Sequence, residues 1–147
     1  MPPRKKRPLA VLDTNIICSA AQRKPGAARE VVNLWKRGFL QLVISDAIRR
    51  EYLDVLARLA LRRREMEHWT QWFLHPSKTK QVATPQNVHA SRDPEDNPFL
   101  GAALTGGAEF IITRDNDLLE LQVFEGVEII PPAEFLERRR AGQNQRQ

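Results

Sequence analysis

The sequence predicts an α/β domain with three layers, α/β/α, in which helices cover both faces of a central, mostly parallel sheet. Short apolar runs alternate along the chain with longer segments whose apolar residues recur at helical spacing. This alternation is typical of right-handed βαβ units, which place a parallel sheet between two layers of helices. The length of 147 residues and the hydrophobic fraction of 41% suit one such domain with a single core.

Four apolar runs are the strand candidates. Each is short, rich in Val, Ile or Leu, and bounded by polar or turn-forming residues, as expected of a buried strand. They lie at 8–12, 40–44, 109–113 and 127–130, with a weaker fifth candidate near 81–83.

The helix candidates lie between these runs and carry start and stop signals. Ser45 or Asp46 can cap the helix that follows the second strand. Gly38 suits the end of the helix before that strand, and Pro94 suits the first turn of a later one. The predicted helices span 16–22, 27–37, 46–61, 62–74, 95–105 and 133–140, with a helical turn within 115–121.

The predicted helix over 62–74 carries three aromatic residues, Trp69, Trp72 and Phe73. Met66, Trp69 and Phe73 fall on one helical stripe, which predicts that these side chains pack into the core. A platform on which nucleic-acid bases stack is the alternative.

The net charge of +5 is concentrated at the two ends of the chain. Residues 1–7 carry four positive charges and residues 137–147 carry a net +3, so the body over 8–136 has 15 basic and 17 acidic residues. We therefore predict a basic N-terminal tail over 1–7, one domain over 8–136 and a basic C-terminal tail over 137–147.

Several classes of protein are excluded by the composition. No run approaches the ~18 apolar residues of a membrane span, and the run Leu9–Leu12 is too short for a signal peptide. The single cysteine, Cys18, cannot form an internal disulfide or a multi-thiolate metal site. We expect a cytoplasmic protein without a membrane segment.

Basic and acidic residues are separated within the body of the chain. Residues 29–80 carry 11 basic against 6 acidic residues, whereas 93–128 carry 9 acidic residues against one basic residue, Arg114. A basic surface attracts nucleic acid, but the acidic stretch needs another explanation. The candidates for contacts with phosphate are Arg49, Arg50, Arg62 and Arg63, with a solvated charged face as the alternative.

Two carboxylates follow predicted strands directly. Asp13 comes after the first strand, and Asp115 comes two residues after the strand over 109–113. In open α/β sheets, ligands bind outside the carboxyl ends of the strands. We therefore expect the two side chains near a ligand site, with helix capping as the alternative for each.

Two further carboxylates are predicted to join them. Glu51 lies at the edge of the apolar stripe of the 46–61 helix, where a carboxylate needs an ion partner or a metal. An arginine partner is the alternative. Asp96 lies in the first turn of the helix that leads into strand 109–113, which brings it to the same edge of the sheet. Stabilisation by the helix dipole is the alternative explanation of Asp96.

Converging carboxylates repel one another strongly unless a cation neutralises them. Ligand sets that contain only oxygen suit Mg²⁺ or Mn²⁺ rather than zinc. Such ions activate water and stabilise the attacking and leaving oxygens of a phosphodiester. The acidic stretch is therefore predicted to hold metal inside an otherwise basic binder of nucleic acid.

Four segments of the sequence hold these acids. They are Val11-Leu12-Asp13-Thr14-Asn15, Arg-Glu-Tyr-Leu-Asp-Val-Leu at 50–56, Asp93-Pro94-Glu95-Asp96-Asn97 and Ile112-Thr113-Arg114-Asp115-Asn116-Asp117-Leu118-Leu119. These segments resemble PIN-domain ribonucleases, and the similarity extends to the VapC-like toxin components of prokaryotic toxin–antitoxin pairs. The ending at 129–136 also resembles that subfamily, so the resemblance spans about 8–136.

The resemblance implies a PIN-like fold and a catalytic site that binds Mg²⁺ or Mn²⁺. It also implies an RNA substrate, a homodimer and, for a toxin, an antitoxin protein that blocks the cleft. Arg114 replaces the family's usual glycine, where it would contact phosphate or narrow substrate access. Matched by position, the catalytic residues are Asp13, Glu51, Asp96 and Asp115, with Asp117 as a further metal candidate. The supporting residues are Thr14, Asn15, Asp93, Asn97, Thr113 and Asn116, of which Asp93 is also a secondary candidate for the metal site.

The sequence therefore predicts a Mg²⁺- or Mn²⁺-dependent endoribonuclease that acts as the toxin of a toxin–antitoxin pair. One rival is a non-catalytic RNA-binding PIN-like module, which would keep its RNA affinity when metal is chelated. A second rival is a receiver or phosphotransfer domain that uses Asp13 as its phospho-acceptor. Thr14 and Asn15 disfavour this second rival, because no second Asp stands two residues after Asp13.

Overall fold

The computed structural model describes residues 7–144 and confirms the predicted three-layer α/β/α architecture. A central sheet of six strands, five of them mutually parallel, has helices on both sides. Most of the predicted N-terminal tail and the last three residues of the predicted C-terminal tail lie outside the described residues.

The sheet has the strand order β3-β2-β1-β4-β6-β5. Neighbouring strands are parallel except for β5 and β6, which are antiparallel. The strands are β1 (Leu9–Leu12), β2 (Gln41–Ser45), β3 (Thr79–Val82), β4 (Phe110–Ile112), β5 (Val123–Phe124) and β6 (Val127–Ile130).

Six α-helices and a single 3₁₀ turn connect the strands within residues 7–144, and a seventh helix, α7, follows the last strand. The 3₁₀ turn (Pro94–Asp96) runs directly into α5, so the two together form the predicted 95–105 element. The helices are α1 (Thr14–Ala21), α2 (Ala27–Lys36), α3 (Asp46–Ala57), α4 (Arg63–Leu74), α5 (Asn97–Gly106), α6 (Asn116–Leu119) and α7 (Pro132–Asn144).

Three elements differ from the sequence prediction. Helix α3 ends at Ala57 rather than near residue 61, because Ala60 takes a left-handed φ of +54° that no α-helix continues through. Helix α7 continues to Asn144, through most of the segment predicted as a C-terminal tail. Strand β5 was not predicted, because its two residues are too few for a period to be recognised.

The hairpin between β5 and β6 has a specific local cause. Glu125 and Gly126 both have positive φ, +46° and +85°, and they form the two-residue connection between the strands. Two consecutive positive φ values are the requirement of the type I′ turn, whose twist matches that of antiparallel strands. Glycine meets this requirement without steric strain.

The aromatic residues of α4 pack largely as predicted. Phe73 is fully buried and Trp69 is 3% exposed, whereas Trp72 is half-buried. The centroid of the Phe73 ring lies 5.7 Å from the ring centroid of Trp35 in α2 and 5.1 Å from that of Tyr52 in α3. The aromatic cluster therefore joins α2, α3 and α4 on one side of the core.

Among residues 7–144, no helix combines the length and the apolar character that crossing a bilayer would require.

Gly101 in α5 tests how closely this helix packs. A Cβ at this position would overlap the backbone carbonyl oxygen of Gln86 and lie 3.8 Å from the side chain of Val88. We expect Gly101→Ala to lower the free energy of unfolding by about 1–3 kcal/mol, since the backbone of the neighbouring loop must move. Chemical denaturation followed by circular dichroism measures this change.

Gly142→Ala in α7 is the matched control. A Cβ there meets nothing within 4 Å, and alanine favours a helix over glycine by roughly 0.5–1 kcal/mol. Equal stability of Gly101→Ala and Gly142→Ala would contradict the close packing at Gly101.

Candidate metal centre

The pairing of β1 with β4 fixes the positions of the first two acids, Asp13 and Asp115. Leu12 lies opposite Ile112 in the parallel ladder, and the backbone N–H of Asp13 donates to the carbonyl oxygen of Ile112 at 3.0 Å. Asp13 is therefore the first residue beyond β1, and it is also the N-cap of α1. Its side chain is 6% exposed at the carboxyl edge of the sheet, as the sequence predicts.

Thr113 links Asp13 to Asp115. The Thr113 side chain is fully buried, and its hydroxyl donates to Oδ2 of Asp13 at 2.7 Å. The same hydroxyl oxygen accepts from the backbone N–H of Asp115 at 2.9 Å. Asp115 in turn accepts from the backbone N–H of Asp117 at 2.8 Å and so caps α6. One hydroxyl thus holds two of the predicted catalytic acids in a fixed relation.

The 3₁₀ turn before α5 supplies two more carboxylates. Asp96 is 5% exposed, and its Oδ2 accepts from the hydroxyl of Ser91 at 3.1 Å. Asp93 accepts from the backbone N–H of Glu95 at 3.0 Å. One carboxylate oxygen from each of Asp93, Asp96 and Asp115 lies within 4.8 Å of the others. We call these three residues the carboxylate cluster.

Glu51 lies on the Asp13 side of the cleft rather than in the carboxylate cluster. It projects from α3, is half-buried, and accepts a hydrogen bond from the hydroxyl of Thr14. Among residues 7–144, no arginine lies within ion-pair distance of Glu51, so the arginine partner considered from the sequence is not present there. Thr14, predicted as a supporting residue, therefore positions Glu51.

The electrostatics of the cleft favour neutral carboxyl groups. Burial raises the pKa of Asp96 to about 6, and the charges of Asp115, Asp13 and Asp93 add to the effect against the hydrogen bond from Ser91. Burial also raises the pKa of Asp13, with a contribution from Asp115. The pKa of Glu51 is raised by burial and by the charges of Asp13 and Glu95. A divalent cation would reverse this preference, because it favours the ionised forms.

Asp117 lies apart from the carboxylate cluster. Its carboxylate lies 4.0 Å from the guanidinium of Arg92, which also forms an ion pair with Glu120. Asp93, which the sequence analysis gave as a secondary candidate and a supporting residue, is in the cluster instead. The sequence could not distinguish the two, because both lie within three residues of a stronger candidate.

Three predicted supporting residues differ in their roles. Asn97 accepts from the backbone N–H of Ser91 at 3.1 Å and so holds the residue that bonds to Asp96. Asn15 and Asn116 are exposed in the first turns of α1 and α6. Ser91 itself was missed by the sequence analysis, and its place just before Asp93-Pro94 is the only signal that marked it.

The predicted RNA-binding arginines fall into two groups. Arg49 pairs with Asp46 at 2.6 Å, and Arg63 pairs with Glu67 at 3.2 Å. The other three are exposed and form no ion pair within the described part of the chain; they are Arg50, Arg62 and Arg114. Arg114 is the one adjacent in sequence to the carboxylate cluster.

The chain matches a known protein family over most of its length. A family model described as "PIN domain" matches residues 9–117, which include the carboxylate cluster, Asp13, Glu51 and Thr113. Among curated proteins, none matches the chain.

Asp96 gives a test of the cleft through its pH dependence. Its pKa is raised from 3.8 to about 6, so the folded, metal-free protein binds a proton that the unfolded chain has lost over this interval. Stability therefore falls as pH rises from about 4 to above 6. We expect Asp96→Asn to be more stable than the wild type at pH 7.5 in EDTA, by up to about 3 kcal/mol, and to match it near pH 3.

Metal should reverse the order of stability of the wild type and Asp96→Asn. We expect Mn²⁺ to raise the melting temperature of the wild type at pH 7.5 and to raise that of Asp96→Asn far less. Asp54→Asn, at an exposed position of α3, is the control and should behave like the wild type. An equal rise in Asp96→Asn and the wild type would show that Asp96 does not bind the metal.

Proposed function

The chain belongs to the PIN domain family, and on this premise we propose that it is a metal-dependent endoribonuclease that hydrolyses RNA phosphodiester bonds. PIN domains are generally nucleases that need a divalent metal, and PIN nucleases act on RNA. The observation that carries the proposal is the carboxylate cluster, with three acids within 4.8 Å of one another at the end of β4.

The donor set of the cleft fits Mg²⁺ or Mn²⁺. The side chains that meet there offer carboxylate, hydroxyl and amide oxygens, and hard divalent cations prefer such ligands. The four acids that we assign to the metal are Asp13, Glu51, Asp96 and Asp115, with Asp93 as a further ligand from the carboxylate cluster. A bound cation supplies activation of water and stabilisation of the charge that develops on the phosphodiester.

The chain's own residues orient the acids and move the proton. Thr113 fixes the direction of Asp13, and Ser91 fixes that of Asp96, through the hydrogen bonds described above. We assign to one carboxylate of the cleft the acceptance of the proton of the attacking water. In-line attack of this water on phosphorus breaks the bond between phosphorus and the 3′-oxygen. The 3′-oxygen takes up a proton from solvent and leaves as the 3′-hydroxyl end, and the phosphate stays on the 5′-oxygen of the other product.

We assign RNA contacts to the three exposed arginines that form no ion pair within residues 7–144. Arg114 follows Thr113 directly, so its guanidinium is available to the phosphate next to the scissile bond. Arg50 is on α3 with Glu51, and Arg62 caps α4. Arg49 and Arg63 would have to exchange their carboxylate partners for phosphate, so we expect them to contribute less.

We further propose that the protein is a cytoplasmic toxin, homodimeric and inhibited by an antitoxin that covers the cleft. The support is the likeness of residues 129–136 to the ending of VapC-like toxins. Growth arrest on induced expression, relieved by Asp115→Asn, tests the toxic role. The molar mass in solution, measured by light scattering, tests whether the protein is a homodimer. Tolerated expression of an active nuclease would refute the toxin role and leave the nuclease proposal standing.

Asp115→Asn is the direct test of the nuclease. The amide keeps an oxygen that can cap α6 but loses the charge, so the fold should persist while metal binding weakens. We expect cleavage of a fluorescently labelled single-stranded RNA in Mn²⁺ to fall more than about a hundredfold. Asp54→Asn, at an exposed position of α3, should keep full activity.

Two further measurements complete this test. We expect the RNA products to carry 5′-phosphate and 3′-hydroxyl ends, and we expect EDTA to abolish cleavage. Cleavage by Asp115→Asn at the wild-type rate, or cleavage that survives EDTA, would refute the metal mechanism. RNA that binds in EDTA but stays intact at every Mn²⁺ concentration would identify a non-catalytic RNA-binding module instead.

A further inference from the structure

A cavity lies away from the carboxylate cluster, between α1, α2 and α4. Its volume is about 220 Å³, and it begins at Ala20 and Ala21 in the last turn of α1. The acidic cleft lies at the other end of this helix, where Asp13 is the N-cap. Eight helical residues correspond to about 12 Å, so one helix separates the two features.

The cavity has an excess of positive charge. Arg23, Arg29 and Lys36 line it, and its one carboxylate, that of Glu65, pairs with Arg23 at 3.0 Å. Within residues 7–144, Arg29 and Lys36 have no carboxylate within ion-pair distance. Two positive charges therefore line the cavity without an ionic partner in the described part of the chain.

Lys36 is held in this cavity by the aromatic residues of α4. Its ammonium lies 4.4 Å from the ring centroids of both Trp69 and Trp72. Burial lowers the pKa of Lys36, and the charges of Arg29 and Arg23 lower it further, against the attraction of Glu65. An anion in the cavity would offset both the burial and the repulsion.

We propose that this cavity binds a phosphate group of the RNA backbone, at a position remote from the scissile bond. The inference rests on the proposed nuclease function. Phosphate is compact, and Arg and Lys are the side chains that bind it most strongly. A stacked base fits less well, because Lys36 already occupies the faces of both tryptophans. RNA anchored there would run along α1 to the acidic cleft.

The test measures binding without cleavage. A fluorescein-labelled single-stranded RNA is titrated into Asp115→Asn, alone and combined with Arg29→Gln or Lys36→Gln, and anisotropy is followed at several salt concentrations. We expect each added substitution to weaken binding about tenfold. The slope of log K against log salt should become shallower by about 0.7, as for one lost phosphate contact on a single strand.

Arg58→Gln is the matched control, because Arg58 is exposed, lies outside the cavity and has no ion pair among residues 7–144. It should change neither the affinity nor the slope. Arg29 is exposed as well, so Arg29→Gln should fold and keeps the test decisive if Lys36→Gln does not. Circular dichroism checks that Arg29→Gln and Lys36→Gln are both folded.

Four results would overturn the proposal. The first is that the cavity variants bind RNA as tightly as the control, and the second is that the protein does not bind RNA at all. The third is that Lys36 is needed to bind inorganic phosphate while its substitution leaves the RNA affinity unchanged. The fourth is that Lys36 is needed to bind a glutamate-rich peptide and that this peptide binds more tightly than RNA. A wild type that binds RNA through the cavity but never cuts it would instead refute only the nuclease function.

Discussion

The parallel pairing of β1 with β4 is the constraint on which the candidate site depends. Because Leu12 lies opposite Ile112, both strands end at the same level, and the residues that follow them meet. The hydroxyl of Thr113 then bridges Asp13 and the backbone of Asp115. A shift of register by one residue would turn every side chain of β4 to the other face and separate these acids.

The molecule has two regions of unbalanced charge, one negative and one positive. The acidic cleft contains carboxylates without a cation among the described residues, and the cavity between α1, α2 and α4 contains Arg29 and Lys36 without a carboxylate partner. Helix α1 separates them. Each imbalance destabilises the isolated protein. On the proposed function, a bound metal would neutralise the first and the backbone of the RNA substrate would neutralise the second.

Much of the fold follows from local patterns in the sequence. Continuous apolar runs predict β1, β2, β4 and β6, and apolar residues at helical spacing predict the helices that cover them. The end of α3 was not predictable because it depends on a single backbone angle, and β5 was not predictable because its two residues are too few to show a period. The same holds within the site. Asp13 and Asp115 follow from strand ends, whereas the roles of Ser91 and Asp93 follow from a turn whose geometry no period encodes.

The carboxylate cluster draws its acids from two stretches of chain that α5 and β4 separate. Asp93 and Asp96 precede α5, and Asp115 follows β4. A cation shared among them would join both ends of this helix–strand unit and close it into a loop, as a covalent cross-link would. Loss of such a cation would loosen β4, one of the two middle strands of the sheet, together with the site itself, so that an ion bound there for the proposed catalysis would also be a structural one.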